Sequence, residues 1–207
     1  AIAEGRAKYE KMTEEGLANS TASPCDPLYA MGQLGKAMPE DSILVVDPGI
    51  AAVYPAGFIK MRKAGRYFVC NFAQGSPGYA TAAAIGAAKA SPQSTIVHVT
   101  GDGSFGFCAG EYETLVRTGA NVKVILVNNH SFGWIRVSNS MVFNNPPFAT
   151  EFADIDYVTI MKGFGLPSAR VEEARFLPEA FKDLFAVEGP AFLEIPFAPE
   201  DKCVPPV

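Results

Sequence analysis

The chain has 207 residues, 48% hydrophobic and 19% charged, with 17 Lys and Arg against 22 Asp and Glu, for a net charge of −5. That length suits one domain with a large core, and the composition is too apolar for disorder. The lack of a basic excess argues against nucleic acid, and no apolar run nears the ~20 residues of a membrane span or forms a signal peptide, so neither a membrane nor a secretory role is expected.

Residues 1–25 are polar and mixed, and read as a frayed helix followed by a linker. The chain opens on Ala, which points to processing or to excision from something larger. Asp26-Pro27 supplies a helix start, with Asp as cap and Pro in the first turn, and the helix should run to about Met38. Short apolar strands are expected at Ile43–Val46, Tyr67–Cys70, Thr95–Val99, Val122–Val127, Ala169–Val171 and Ala191–Ile195. Helices are expected near 50–61, 78–90, 108–118, 154–163 and 177–187. Strands that are apolar on both faces and alternate with helices predict an α/β fold. It has three layers, a six-stranded, mostly parallel sheet with helices on both faces, spanning residues 26–196. Residues 197–207 read as a Pro-rich tail lying over a surface or a partner.

The four cysteines (Cys25, Cys70, Cys108, Cys203) lie far apart, with no C-x-x-C pair and only two His in the chain. Reduced, mostly buried thiols in a cytoplasmic protein are expected, rather than a thiolate metal site or a disulfide framework. The helix Tyr79–Ala90 has almost no side-chain bulk. That fits either tight packing on the sheet or a subunit interface.

The chemistry concentrates in Thr95-Ile-Val-His-Val-Thr-Gly101-Asp102-Gly103-Ser104-Phe105-Gly106, a strand running into a glycine-rich turn and then a helix. It matches G-x-G-x-x-G, a dinucleotide fingerprint. Asp102, however, would set a carboxylate against a pyrophosphate, and the next strand ends in neutral Val127-Asn128-Asn129 where a ribose-binding acid is wanted. A divalent cation between Asp102 and phosphates removes that repulsion. Mg²⁺ takes one or two protein oxygens and completes its octahedron with phosphate and water. Asp102, Asn129 and a backbone carbonyl just beyond form a candidate cradle, with N–H groups at the turn and helix start for phosphate.

Gly101-Asp102-Gly103 followed by Asn128-Asn129, with 27 residues from Asp102 to Asn129, resembles the thiamine-diphosphate motif of the acetolactate synthase-like family. That family includes oxalyl-CoA decarboxylase, 2-hydroxyacyl-CoA lyases and benzoylformate decarboxylase. The resemblance covers roughly residues 26–196 and implies thiamine diphosphate and Mg²⁺ as cofactors. It implies Asp102, Asn129 and the Ser131 carbonyl as metal ligands, with Gly101, Gly103, Ser104, Phe132 and Gly133 around the diphosphate. Gly75-Ser76-Pro77-Gly78 is similar to the family's aminopyrimidine turn, in which the first Gly carbonyl accepts from the exocyclic amine and a bulky residue bends the cofactor. Pro77 stands at the wedge position and has no N–H to donate. Asp47-Pro48-Gly49-Ile50-Ala51 follows the first strand, where Ile50 and Ala51 could offer backbone N–H groups to the diphosphate or simply form a strand-to-helix turn.

The family's activating Glu lies in a pyrimidine-binding domain that this chain does not contain, so no catalytic residue is assigned here. The resemblance implies a partner subunit, or a missing part of the same protein, that carries it. Glu111 and Glu113 are read as capping or surface residues. A 2-oxo acid or acyl-CoA substrate is implied, but Val137-Ser138-Asn139 replaces the Gln-Trp-Gln of acetolactate synthases. Trp134 and Arg136 are read as core and solvated residues with a possible substrate role, His130 as structural, and His98 as a hydrogen-bonded core residue. Two other readings stand beside this one, a nicotinamide-dependent oxidoreductase and a non-catalytic scaffold subunit. Electron transfer to iron–sulfur clusters would need clustered cysteines, which are absent.

Overall fold

The computed structural model describes residues 2–143 and 148–199. In chain order the elements are α1 (Ile2–Ala18), α2 (Pro27–Ala37), β1 (Ile43–Val46), α3 (Ile50–Phe58), β2 (Phe68–Cys70), α4 (Tyr79–Ala90) and β3 (Ile96–Gly101). There follow α5 (Asp102–Cys108), α6 (Glu111–Thr118), β4 (Val122–Asn128), α7 (Gly133–Ser138), a π-helical turn (Asn139–Phe143) and α8 (Tyr157–Gly163). β5 (Ser168–Arg170), a 3₁₀ turn (Ala174–Phe176), α9 (Leu177–Ala186) and β6 (Ala191–Pro196) complete the described fold.

The six strands form one sheet in the order β2-β1-β3-β4-β6-β5, and every adjacent pair is parallel. Because side chains alternate along a strand, β3 and β4 send residues into two separate cores. Val97, Val99, Ile125 and Val127 pack beneath α2, α3 and α9, against Leu34, Tyr54 and Phe181. Ile96, Val122, Val124 and Leu126 pack beneath α4, α6 and α8, against Ala84, Tyr112 and Met161. Strand burial on both faces is what made these segments read as continuous apolar runs. Strand order reverses between β1 and β3, and the crevice at such a switch point is where open α/β sheets bind ligands.

Several boundaries differ from expectation. The glycine-rich stretch after β3 is helical rather than a turn: α5 begins at Asp102 and ends at Cys108, and the helix expected near 108–118 starts later, at Glu111, as a separate α6 beyond Ala109-Gly110. Residues 2–18 form a regular helix docked on α2, where Gly16 meets Leu28 and Leu17 meets Gly32. The helix start behaves as read, with the Asp26 side chain accepting from the Leu28 and Tyr29 N–H groups. α3 stops at Phe58 because Ile59 turns extended and buries itself near Gly35 of α2. α8 starts late, at Tyr157, because Asp156 caps it through the Thr159 N–H. The tail's first residue belongs to the core: Phe197 is buried, takes the Asn128 carbonyl at 2.7 Å and meets Tyr54 edge-on. Residues 200–207, with Cys203, lie outside the described residues. Of the other thiols, Cys25 is buried and pushed up to about 12 by that burial, while Cys70 and Cys108 are half-buried and all three are free.

Among the described residues no helix is long and apolar enough to cross a membrane.

Candidate functional site

The carboxyl ends of β1, β3 and β4 open onto a cleft of about 290 Å³. Its floor is Gly101, Asp102, Gly103 and Ser104, at the end of β3 and the start of α5. One wall is Pro48, Gly49, Ile50 and Ala51 after β1, and the opposite wall is Ser131, Phe132, Gly133 and Trp134 after β4. Gly75 and Pro77, with Phe72, form the rim ahead of α4. Four separate stretches of sequence thus meet at one cleft. Two expected residues do not line the cleft: Ser76 is exposed on the turn, and Asn129 is buried just behind the wall.

Asp102 is the acid of this cleft and is only 6% exposed. Its Oδ1 accepts the Gly103 N–H at 2.8 Å and its Oδ2 accepts the Ser131 N–H at 3.2 Å. Burial pushes its pKa up to about 7, and the backbone N–H groups of Gly103, Ser131, His130 and Asn129 pull against that rise. A mostly buried carboxylate at a cleft floor, accepting from peptide N–H groups, is one that a cation would favour.

The turn after β4 is built to face it. His130 adopts φ 55°, in the left-handed region, and its N–H is taken by Asn128 Oδ1 at 3.1 Å. Asn129 donates from Nδ2 to Ser131 Oγ at 3.3 Å. Ser131 and Phe132 then pair with a returning segment: Phe132 N–H bonds the Thr150 carbonyl, and Phe152 N–H bonds the His130 carbonyl, both at 2.8 Å. The Phe132 and Phe152 rings meet edge to face, with centroids 4.6 Å apart. A Cβ on Gly103 would lie 2.5 Å from Phe132, so Gly103 is needed for this close approach. The expected role for the glycine was a close approach to the diphosphate. Packing is the observed one.

The donor set fits Mg²⁺. A carboxylate, an amide oxygen and a peptide carbonyl are all hard oxygen donors. Ser131 O already accepts the Gly133 N–H at 2.9 Å but keeps a second lone pair. Among the described residues no group of three His, Cys, Asp or Glu could hold a metal, so a cation here would complete its shell with ligand and water oxygens.

Other expectations sort cleanly. His98 is wholly buried between Thr81 Oγ at 3.2 Å and the Val45 carbonyl at 3.3 Å. Glu111 and Glu113 are exposed on α6, and Glu113 pairs with Arg117. Trp134, read as core, is instead half-buried in the cleft wall, because α7 turns it toward the opening rather than the sheet. Phe72 and Ile135 line the cleft without having been singled out. An aromatic in the polar stretch ahead of Gly75 was the available signal for Phe72. Asp47 was quoted only as part of a turn. It is fully buried, and accepts from Thr100 Oγ at 2.7 Å and from the Ala80 N–H at 3.1 Å.

Comparison with known proteins agrees with this geometry. Residues 47–195 match the family described as thiamine pyrophosphate enzyme, C-terminal TPP binding domain. The mitochondrial acetolactate synthase catalytic subunit of Saccharomyces cerevisiae is 30% identical over 138 residues, 67% of this chain and 20% of that protein. The acetolactate synthase isozyme 1 large subunit of Escherichia coli is 26% identical over 187 residues, 88% of this chain and 33% of that one. The acetolactate synthase of Bacillus subtilis is 27% identical over 189 residues, 91% of this chain and 33% of that one. The chain therefore spans between a fifth and a third of the length of these relatives.

Proposed function

This chain belongs to the thiamine pyrophosphate enzymes, through their C-terminal TPP binding domain, and on that premise we propose that it holds the diphosphate end of thiamine diphosphate through Mg²⁺. The enzyme it serves would cleave or form a C–C bond in a 2-oxo acid or a 2-hydroxyacyl thioester. Residues 26–196 are the cofactor-holding unit, and a pyrimidine-domain partner, as a second subunit or another part of the same protein, completes the site.

The observation that carries this reading is the buried Asp102 carboxylate, aligned with the Asn129–Ser131 turn at the head of a glycine-lined cleft. Asp102, the Asn129 side-chain oxygen and the Ser131 carbonyl would hold the metal. Gly101, Gly103, Ser104, Phe132 and Gly133 would lie along the diphosphate, with Ile50 and Ala51 closing the far side. Gly75 and Pro77, with Ser76 on the outer side of the same turn, would flank the aminopyrimidine. Bound there, the cofactor would supply an electron sink for the negative charge left on the substrate's former carbonyl carbon when a C–C bond to it breaks. The chain's own part is to bind and orient: it fixes the charged end on rigid strand termini and leaves Phe72, Trp134 and Ile135 as an apolar, water-excluding mouth.

The departure at Val137-Ser138-Asn139 favours a substrate other than that of the acetolactate synthases. A nicotinamide cofactor fits worse, because Asp102 would face its pyrophosphate with no counter-charge. Titration calorimetry tests the reading: thiamine diphosphate should bind with Mg²⁺ and fail to bind with a chelator. Equal binding in both conditions, or tight binding of NAD, would overturn it.

A further inference from the structure

β4 and β6 lie side by side, with Leu126 opposite Glu194 and Asn128 opposite Pro196. Glu194 is a fully buried carboxylate in the middle of the sheet, a costly group to keep there without a task. Its Oε1 accepts from Asn128 Nδ2 at 2.8 Å and from Arg170 of β5 at 3.2 Å. Arg170 in turn reaches Glu172 at 2.6 Å and is partly exposed, so it links the buried acid to the surface.

The bond to Asn128 has a directional consequence. An ionised carboxylate can only accept, so Glu194 fixes which end of the Asn128 amide carries the NH₂. Oδ1 is thereby turned to the other side, where it takes the His130 N–H at 3.1 Å. That Asx-type bond stabilises the left-handed His130, a conformation that a β-carbon disfavours. His130 is the hinge of the turn that sets Asn129 against Ser131 Oγ and Ser131 N–H against Asp102.

We propose that Glu194 is a positioning residue for the metal-binding turn, acting through Asn128 and His130 on Asn129 and Ser131. The inference rests on the functional reading above, since it concerns the same cation site. Glu194 does not line the cleft.

The test is a Mn²⁺ titration of the protein in its native assembly, with thiamine diphosphate present and free Mn²⁺ read by electron paramagnetic resonance. Glu194→Leu removes the acceptor and should weaken Mn²⁺ by roughly 10- to 100-fold, the usual effect of losing a group that orients a metal ligand. Thiamine diphosphate affinity should recover at saturating Mn²⁺. Glu194→Gln keeps an oxygen at the Oε1 position and should stay close to wild type. Asn128→Ala should reproduce the Glu194→Leu loss, and the double variant should be no worse than either single one. Should Glu194→Leu fail to fold, Asn128→Ala reads the same link with the Glu194–Arg170 pair intact. A folded Glu194→Leu or Asn128→Ala with wild-type Mn²⁺ affinity would overturn the proposal, as would a Gln variant as weak as the Leu one. A wild-type protein that retains no Mn²⁺ would instead overturn the functional reading, which the variants do not test.

Discussion

Asp47, at the end of β1, caps a helix that begins 32 residues later: its Oδ1 takes the Ala80 N–H at 3.1 Å, in the first turn of α4. Gly78, at the N-cap of α4, has no side chain to do this itself. The other oxygen is held by Thr100 on β3, so one buried carboxylate ties β1, β3 and α4 together directly behind the cleft. Asp47→Ala should therefore cost about 1–3 kcal/mol, as donors are left buried and unpaired. Asp47→Asn should cost less, because one carbonyl remains to accept. Urea unfolding measures both. A loss for Asp47→Ala no larger than that of an exposed-site control would refute the capping role.

Asp102→Ala separates binding from folding. The carboxyl is buried, and burial lifts its pKa to about 7, so keeping it ionised costs the free protein stability that a bound cation would offset. Cofactor retention should vanish while the thermal midpoint stays level or rises, the common trade between site and stability. A variant that unfolds, or one that still retains cofactor in the presence of Mg²⁺, contradicts this account.

Pro77 lines the cleft at the rim where the cofactor's ring would sit, and it lacks an N–H. Gly75 before it holds φ 62°, and Gly78 after it φ 81°, so the turn's shape is set by its glycines rather than by the proline. Pro77→Met should bind thiamine diphosphate equally well or more tightly, by up to about tenfold, since one hydrogen bond nets ~0.5–1.5 kcal/mol. Markedly weaker binding would show that the proline itself shapes the site.

His98 gives the fold an acid-sensitive element. Burial lowers its pKa below 6.5, while Asp47 and the Val45 carbonyl pull the other way. The unfolded chain therefore binds a proton that the folded chain refuses once pH drops below 6.5, and stability falls with pH in that window. Buried Asp102 and Glu194 have raised pKa values and act in the opposite sense, so the comparison has to be between variants. His98→Gln should lose less stability than wild type between neutral pH and about pH 5, as measured by urea midpoints. Parallel midpoint curves for the two proteins would dismiss His98 as the sensor.

What the sequence disclosed and what it concealed follow from range. Strand–helix alternation is a local pattern, and it led to the right sheet, while the glycine-rich stretch after β3 is a short motif that reads directly from the chain. The helicity of residues 102–108 was hidden because glycine argues against helix, and the reason for Gly103, the Phe132 ring, lies 29 residues away. The Asn128–Glu194 bond spans 66 residues, and a Glu within an apolar strand carries no mark of its partner. The π-helical turn at Asn139–Phe143 has no periodicity to announce it.

The final prediction is that this chain alone performs no catalysis. Among the described residues lining the cleft, Asp102 is the only carboxylate, and its oxygens accept from the Gly103 and Ser131 N–H groups. Asp47 is held by two hydrogen bonds behind the cleft, and Glu111 and Glu113 are exposed on α6. No second carboxylate lines the cleft among the described residues. The cleft rim and the start of α4, meanwhile, carry exposed aromatics: Phe72 is 56% exposed, and Phe107, which abuts Gly78, is 61% exposed. The outer side of α4 adds Ala82 and Gly86, small and exposed, while its inner side explains the rest of its smallness by packing on β3. A surface of this kind suits a second domain that brings the missing acid, in an α₂β₂-type or larger assembly. The purified chain should therefore leave pyruvate and other 2-oxo acids untouched. Activity should appear when the pyrimidine-domain partner is added, and disappear again when the partner's activating Glu is changed to Gln. Sustained turnover by the single chain would mean that one of its own acids reaches the ring, and the assignment of catalysis to a partner would fall.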